Sequence, residues 1–139
     1  MLALGLFLSI HASNALPSQD MAIHIVTAEQ GHLRQLQRDE AELLFLGRRT
    51  TAADGTPVIL IDLPAGPIRD RFYLLLTGKN PQQTRAYWSR QVFTGRARPP
   101  LEAHSIEQAI EWLLQTPGTV AYLPASNGDA RLRVLMRLQ

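Results

Sequence analysis

The stretch from Val58 to Gly78 reads VILIDLPAGPIRDRFYLLLTG, and its order of residue types decides the fold. Its first six residues are apolar except for Asp62, which is typical of a strand covered on both faces. The Pro-Ala-Gly-Pro turn at 64–67 ends that strand, and Pro67 suits the first turn of a helix because it has no N–H to leave unpaired. Apolar residues then recur at helical spacing up to Gly78. A buried strand that leads directly into an amphipathic helix is typical of an α/β layered domain.

The same patterns continue on both sides of this stretch. The predicted elements, in order, are a strand at 23–26, a helix at 40–46, a strand at 58–63, helices at 67–78, 80–95 and 106–115, and strands at 120–123 and 132–138. Capping-box spacing of Asp39 with Glu42 and of Ser105 with Gln108 marks two of the helix starts. Residues 95–100 form a basic, proline-containing loop. This order predicts a single α/β domain with a mixed β-sheet flanked by helices, in which the strand at 58–63 is central.

The last strand has a second pattern of its own. Its apolar residues alternate with basic ones, namely Leu132, Val134, Met136 and Leu138 with Arg131, Arg133 and Arg137. Such an alternation predicts a strand with one buried and one basic face. Asn127-Gly128, just before it, predicts a hairpin turn.

Composition limits the classes of protein to which the chain can belong. With 139 residues, 45% of them hydrophobic, it can bury one core and is too short for two ordinary domains. Having no cysteine, it has no disulfide framework, no thiolate metal site and no cysteine nucleophile. All but one of its 14 basic residues are Arg, the fork-shaped donor that suits carboxylate and phosphate, although genomic base composition produces the same bias.

Residues 1–15 have the pattern of an export signal. The apolar run Leu2–Ile10 is too short to cross a membrane, which needs about 20 residues, but it fits the apolar region of a signal peptide. Ser13 and Ala15 supply small residues at the minus-three and minus-one positions of a cleavage site. We therefore predict cleavage after Ala15 and a periplasmic domain over residues 16–139. The alternative is a buried first element of the fold.

Enzymatic motifs are absent from the sequence. The four histidines lack metal-binding spacing, and there is no nucleophile elbow, Walker loop or dinucleotide fingerprint. Asp39, Glu40 and Glu42 have the spacing of a helix N-terminus, where negative charge interacts favourably with the helix dipole. The sequence therefore predicts no catalytic residue, no metal ligand and no cofactor.

One feature suits an anionic ligand. Backbone N–H groups near Gly66 and Ile68 lie where a strand ends and a helix begins, and Arg69 follows closely. Many α/β units make such a turn without binding anything, which is the alternative. The cluster Arg48–Thr51 fits a solvated loop better than a site. Nucleic acid is not a predicted partner, because the arginines are scattered and do not alternate with aromatic residues.

Several stretches, taken together, resemble phosphate ABC-transporter substrate-binding proteins, and above all short, single-domain members of the type 2 periplasmic-binding-protein superfamily. They are ELLFLGRR at 42–49, DGTPV at 54–58, DLP at 62–64, RDRFY at 69–73, AYW at 86–88, FTG at 93–95 and TPGTVAY at 116–122. The resemblance implies a non-enzymatic periplasmic fold and, in full-length relatives, phosphate held between two lobes by backbone N–H groups, hydroxyls and an Arg. Gly66 and Arg69 are the residues that carry over as ligand-binding.

Two departures from that family shape the expected function. Residues 16–139 supply about one lobe, so a closing cleft needs a second copy. The turn reads Ala65-Gly66-Pro67-Ile68, without the family's hydroxyl cluster and with a proline that has no N–H. The sequence therefore predicts a single lobe that binds phosphate or another small anion weakly, or within a homodimer, in connection with ABC transport.

The alternative is an interaction module that has lost its ligand and docks on a periplasmic or membrane-complex partner, through the basic face of the last strand. A separate expectation concerns stability. Trp88 and Trp112 both lie on predicted apolar faces, so replacing either by Ala is expected to cost about 3–5 kcal/mol.

Overall fold

The computed structural model describes residues 22–139, so the predicted signal peptide lies outside the described residues. The elements are β1 (Ile23–Ala28), α1 (Arg38–Phe45), β2 (Ile59–Asp62), α2 (Pro67–Thr77), α3 (Pro81–Phe93), β3 (Leu101–Glu102), α4 (Ile106–Gln115), β4 (Thr119–Pro124) and β5 (Leu132–Leu138). A 3-10 turn covers Ala125–Asn127. Within this range no helix combines the length and the apolar character that crossing a membrane requires.

The strands form one mixed sheet in the order β3-β2-β4-β1-β5. β2 runs parallel to both β3 and β4, whereas β1 is antiparallel to β4 and β5. The predicted α/β fold with a mixed sheet is therefore confirmed. β2 has neighbours on both sides, as expected, but β4 is the middle strand. Because β2, β3 and β4 are parallel, their carboxyl ends lie at one edge of the sheet.

The hairpin predicted at Asn127-Gly128 is wrong. β4 and β5 do not pair with each other, because β1 lies between them and pairs with both. The connecting residues form the 3-10 turn instead of a two-residue loop. Turn residues mark where the chain reverses, but the hydrophobic pattern does not say which strand lies alongside.

The predicted two-faced β5 is also only partly right. Ile25 pairs with Met136 and Val26 with Val134, so Leu135 is an extra residue in a bulge, and it is buried. Arg133 on the expected basic face is half-buried. It donates to the carbonyls of Gly31 and Leu33 at 3.1 Å and forms an ion pair with Glu29 at 2.7 Å.

Arg131, the neighbouring arginine, forms an ion pair with Asp129 at 2.7 Å. The basic face of β5 is therefore largely neutralised by carboxylates of the same chain.

Helix starts follow the capping rules, with two corrections. Asn80 caps α3 reciprocally with Gln83, as in a capping box. Ser105 accepts from the Gln108 N–H at 3.1 Å, but the Gln108 side chain accepts from the His104 N–H, so the box predicted at α4 is only half present. α1 begins earlier than predicted, with Gln37 at its N-cap, so Asp39 lies inside the first turn. There its negative charge still interacts favourably with the helix dipole.

β3 is the element that the sequence did not predict. Its two residues, Leu101 and Glu102, follow the predicted basic loop. They form a strand only because the edge of β2 offers parallel partners, Leu101 to Ile61 and Glu102 to Asp62. A two-residue strand has no hydrophobic period to detect.

Aromatic rings join the helices to the sheet. Phe72 of α2 stacks on Tyr122 of β4 with ring centroids 3.6 Å apart, and Phe45 of α1 meets Phe72 edge-on at 4.8 Å. All three side chains are fully buried. Large buried aromatic rings contribute much of a small core's stability. They hold α2 against the carboxyl end of β2, where the candidate site lies.

Candidate functional site

The turn between β2 and α2 places a helix N-terminus at the carboxyl edge of the sheet. Gly66 is the N-cap residue and adopts φ 157° and ψ −174°, a combination open essentially only to glycine. Pro67 occupies the first helical position, and the Asp70 N–H makes the first helical bond to the Gly66 carbonyl at 3.0 Å. No side chain in the described part of the chain caps this helix. Its N-terminus therefore keeps the partial positive charge that attracts anions.

Arg69 stands in the first turn of this helix, as the sequence predicted, but it already has partners. Its Nη2 lies 3.3 Å from the Asp62 carboxylate and its Nη1 lies 3.2 Å from the Glu102 carboxylate. Its side chain is 22% exposed. A guanidinium has five N–H donors, so these two ion pairs fix its position without using every donor.

Asp62 is the centre of a buried polar cluster, which we define as Asp62, Arg69, Tyr73 and Tyr122. The Tyr73 hydroxyl donates to one Asp62 oxygen at 3.0 Å, and the Tyr122 hydroxyl donates to the other. The Leu63 N–H in turn donates to the Tyr122 oxygen at 3.1 Å. Only 1% of Asp62 is exposed. Every polar group of the cluster therefore has a partner.

Burial changes the acid–base properties of this cluster. It raises the pKa of Asp62 above the ordinary value of 3.8, while the bond from Tyr122, the charge of Arg69 and the bond from Tyr73 oppose that rise. Burial also raises the pKa of Tyr73 and of Tyr122, and the nearby Asp62 charge raises both further. Both phenols therefore remain protonated donors at neutral pH. The effect of the cluster is to hold Arg69 in place beside the turn.

Sequence reasoning found the turn but missed three members of this cluster. It named Gly66 and Arg69, which the fold brings to the same end of α2. The sequence patterns place Asp62, Tyr73 and Tyr122 in strands, in a helix and in the family-like stretches, but assign them no binding role. The one signal was Asp62 itself, a lone carboxylate in an otherwise apolar strand, because a buried carboxylate must find a partner.

A cavity of about 530 Å³ lies between α2 and α3, beside the turn. It is lined by Ala65, Arg69, Asp70, Tyr73, Pro81, Thr84, Arg85, Trp88, Ser89 and Val92. No pattern in the sequence predicts this cavity. Its residues come from the turn and from two consecutive helices joined by residues 78–80, and the way these two helices pack brings them together.

The other candidates are weaker. Arg49, from the predicted solvated loop, donates to the Ala52 carbonyl at 3.3 Å and borders an open depression with Arg96 and Arg98. Among residues 22–139 there is no group of three or more His, Cys, Asp or Glu side chains that could hold a metal ion.

Comparisons with known proteins indicate the fold. No protein-family model matches the sequence, and no curated protein is significantly similar to it. Among the solved structures that are similar in fold, two each cover more than four-fifths of this chain. One is a protein from Clostridium perfringens assigned as a phosphate ABC transporter substrate-binding protein and solved with bound phosphate, with TM-score 0.63, 12% identity, and coverage of 84% of this chain and 46% of that one.

The other is an ABC-type phosphate transport receptor from Vibrio cholerae, with TM-score 0.64 and 13% identity. The match covers 83% of this chain and 45% of the receptor. This chain thus spans about half the length of the structures that it resembles. The comparison shows that this chain shares the predicted mixed α/β fold with both structures.

Proposed function

We propose that this chain is a non-enzymatic binding domain that holds a small phosphate-like anion at the N-terminus of α2. The observation that carries the proposal is an uncapped helix N-terminus with a fixed guanidinium in its first turn. Helix N-termini attract anions through their free N–H groups and dipole, and Arg binds oxyanions with two parallel bonds. The fold shared with phosphate-binding proteins supports the same ligand class.

Affinity at this site is expected to be modest in a single chain. Arg69 already forms ion pairs with Asp62 and Glu102, which partly neutralise its charge. In addition, the turn contains no hydroxyl side chain that could bind the anion. We therefore propose that two copies face each other across a shared anion, each presenting its Gly66 turn and its Arg69. This arrangement would restore the two-sided cleft of the longer relatives.

Export to the periplasm and a link to ABC transport complete the proposal. The signal pattern of residues 1–15 and the names of the two structural neighbours support them. Native mass spectrometry of protein recovered from the periplasm tests location and assembly together. We expect a mass that lacks residues 1–15 and a dimer with one phosphate-sized adduct, whereas an uncleaved mass contradicts export.

Titration calorimetry tests the ligand. We expect heat with phosphate, sulfate or a small carboxylate, and at least a tenfold loss of affinity in Gly66→Ala and Arg69→Lys. The matched controls are Gly55→Ala, another glycine with positive φ in a turn away from the site, and Arg137→Gln on β5 at the far edge of the sheet. Absence of heat in both monomer and dimer fractions contradicts the proposal.

An interaction module remains the second candidate, on a different observation from the one the sequence offered. Phe93 at the end of α3 is 93% exposed, and Val92 beside it is more than half exposed. Exposed large apolar side chains at one place are typical of contact surfaces. Loss of a periplasmic cross-linking partner in Phe93→Ser, with retention in Arg131→Ser, supports this function, and identical partners in both variants contradict it.

A further inference from the structure

Positive charge is concentrated in two segments of the chain. Residues 43–53 contain two arginines, and residues 71–101 contain five arginines and one lysine. Neither segment contains an Asp or a Glu, so all 12 acidic residues lie elsewhere, although the formal net charge of the whole chain is only +2. Charge of one sign that is concentrated on a surface attracts ligands of the opposite sign.

The fold brings the two basic segments into contact just after the ends of α1 and α3. A Cβ at Gly47 would lie 2.8 Å from the Cβ of Ala97, so a residue larger than glycine would force the segments apart. Four arginines flank this contact, namely Arg48, Arg49, Arg96 and Arg98. The sequence favoured a solvated loop for Arg48–Thr51, because no local pattern shows that residues 95–98 lie alongside it.

An open depression of about 690 Å³ lies beside this contact, at the amino ends of β2 and β3. Arg49, Arg96 and Arg98 line it. Apart from these and Thr50, the described residues of its lining are apolar or glycine, and none of them is a carboxylate. The volume is within the usual range for small-molecule sites. The turn at Gly66 lies at the other end of β2, and the two places share no residue.

The chain does not neutralise the charges at this depression. Arg96 and Arg98 are exposed and form no ion pair or side-chain hydrogen bond with any residue from 22 to 139. Arg49 donates to the Ala52 carbonyl at 3.3 Å, which uses one of its five N–H donors and holds its side chain. Three positive charges therefore line one depression, and no carboxylate of the described chain balances them.

The C-terminal ends of α1 and α3 explain only part of this arrangement. Each helix end carries about half a negative charge, which favours nearby arginines. However, the Leu43 carbonyl already accepts from the backbone N–H groups of Arg48 and Arg49, and the Gln91 carbonyl accepts from that of Arg96. The guanidinium groups are therefore not needed as caps. Two helix ends offset about one unit of charge, which leaves most of the positive charge unbalanced.

We propose that this depression binds a small molecule with two or more linked phosphate groups. Linked phosphates place several negative charges in a compact volume, and the guanidinium fork binds phosphate oxygens with two parallel bonds. The apolar lining has a lower dielectric constant than water, which strengthens the attraction. The depression has no helix N-terminus, so it is a weaker candidate than the turn for a single phosphate. It carries more positive charge, however, and the inference does not rest on anion binding at the turn.

The shape of the site favours a compact ligand over a peptide or a membrane. An acidic peptide that extends the sheet beyond β3 needs backbone N–H groups along that edge, and Pro99 and Pro100, directly before β3, have none. A bilayer surface is nearly flat, whereas these arginines line a depression. A small polyanion can enter the depression and contact all three.

Titration calorimetry of the whole chain with sodium tripolyphosphate, at constant ionic strength, tests the site. We expect one tripolyphosphate per chain, and a loss of affinity of at least about tenfold in Arg96→Gln and in Arg98→Gln. Both side chains are exposed and unbonded, so both variants should fold with unchanged thermal unfolding. Arg85→Gln is the matched control, because it removes the same charge from residues 71–101 without changing the lining. It should bind as the wild type does.

A second variant tests recognition by the guanidinium fork rather than by charge alone. Arg98→Lys keeps the positive charge and removes the planar fork, so its affinity for tripolyphosphate should lie between those of the wild type and Arg98→Gln. An affinity equal to that of the wild type contradicts a bidentate contact at this position.

Three further outcomes overturn the proposal. The first is the absence of heat with millimolar tripolyphosphate. The second is an equal loss of affinity in Arg85→Gln and Arg96→Gln, which would mean diffuse attraction by net charge. The third is tighter binding of an oligoglutamate peptide or of phosphatidylglycerol vesicles than of tripolyphosphate, which would identify a protein or a membrane as the partner.

Arg69→Lys separates this site from the turn. We expect this variant to keep its affinity for tripolyphosphate, because Arg69 does not line the depression. A loss of about tenfold or more would assign tripolyphosphate to the turn and overturn the inference. If tripolyphosphate binds through Arg96 while inorganic phosphate gives no heat, this inference stands and the proposed function fails. Heat with phosphate but none with tripolyphosphate has the opposite meaning.

Discussion

The buried polar cluster at the end of β2 and the cavity between α2 and α3 are neighbours with opposite hydrogen-bonding states. Tyr73 belongs to both. In the cluster, each Asp62 oxygen accepts a phenol proton and Arg69 balances the charge. Beside the cavity, the Thr84 hydroxyl and the Trp88 indole N–H are buried and make no hydrogen bond of normal geometry, although the indole N–H is near enough to the Tyr73 hydroxyl to oppose the rise in its pKa. A complete network stabilises and positions residues, whereas a buried polar group without a good hydrogen bond lowers stability.

The two regions differ because of the elements that build them. Asp62 and Tyr122 lie on adjacent strands of the sheet, whose backbone bonds fix their separation. The cavity lies between two helices, and side-chain packing together with the short connection at residues 78–80 sets that spacing. Helix surfaces pack at 8–10 Å between axes with gaps wherever ridges and grooves do not match. A cavity is therefore easier to keep open between helices than within a sheet.

Breaking the cluster gives the largest expected effect. Asp62→Ala removes the acceptor of two buried phenols and the partner of Arg69, so we expect the free energy of unfolding to fall by about 3–5 kcal/mol. Urea unfolding measures it. Asp129→Ala removes the carboxylate of a surface ion pair and serves as the control, with little change expected. Equal losses in both variants would mean that the cluster is not a closed network.

Replacing each tryptophan by alanine compares the stability contributions of a buried and a half-buried ring. Trp88 is 7% exposed and its ring packs against Gly47, so Trp88→Ala should cost about 3 kcal/mol. Trp112 is half-buried at the edge of the core, so Trp112→Ala should cost less. The sequence predicted the same loss for both. Thermal unfolding distinguishes the two expectations, and a larger loss at Trp112 contradicts the structural assignment.

Thr84→Val tests the unsatisfied hydroxyl in the ligand-free protein. Removing a buried polar group that has no partner should raise the free energy of unfolding by about 1 kcal/mol. Thr27→Val is the matched comparison, because its hydroxyl is bonded and its loss should destabilise the protein. Differential scanning calorimetry without added ligand measures both. Destabilisation by Thr84→Val would show that the hydroxyl is satisfied within the folded protein.

The pH dependence of stability gives the smallest but most specific effect. Burial raises the pKa of Asp62, so its contribution to stability is fully present below the unfolded value near 3.8 and is lost as pH rises through the folded pKa. The difference in unfolding free energy between wild type and Asp62→Asn should therefore fall as pH increases across that window. Urea unfolding of both proteins at a series of pH values measures this difference.

Asp129 should behave in the opposite way. Hydrogen bonds from Arg131 lower the pKa of Asp129 to about 2. The contribution of Asp129 to stability is therefore present above the unfolded value of 3.8 and is lost as the pH falls through the folded pKa of about 2. The difference between wild type and Asp129→Asn should shrink in acid. Two carboxylates with the same sign of pH dependence would contradict the opposite environments assigned to them.

Much of the fold could be predicted from local patterns. The β-branched run of β1, the apolar run of β2 and the stripe of α4 each carry their own period, and caps such as Asn80 fix helix starts to within a residue. Prediction failed where partners are distant in sequence. β3 exists because β2 offers an edge, the bulge at Leu135 comes from pairing with β1, and β1 separates the strands of the expected hairpin.

The candidate sites show the same difference between local patterns and contacts of residues distant in sequence. The Gly66 turn could be named from the sequence, because a glycine-proline pair between a strand and a helix is a local signature. The partners of Arg69 could not, since Glu102 is far along the chain and reaches it only across β3 and β2. Nor could the cavity be predicted, because a hydroxyl in a helix carries no sign of whether packing will satisfy it.

The sequence by itself determined the helices and every strand except β3, where most of the helices begin, and that a glycine turn joins β2 to α2. Tertiary structure alone decided the order of the strands, the closed network around Asp62 and the unsatisfied polar atoms of Thr84 and Trp88. The physical reason is the distance along the chain over which each interaction acts. Periodicity and capping depend on residues a few positions apart, whereas hydrogen-bond satisfaction in the interior depends on which distant groups arrive at the same place.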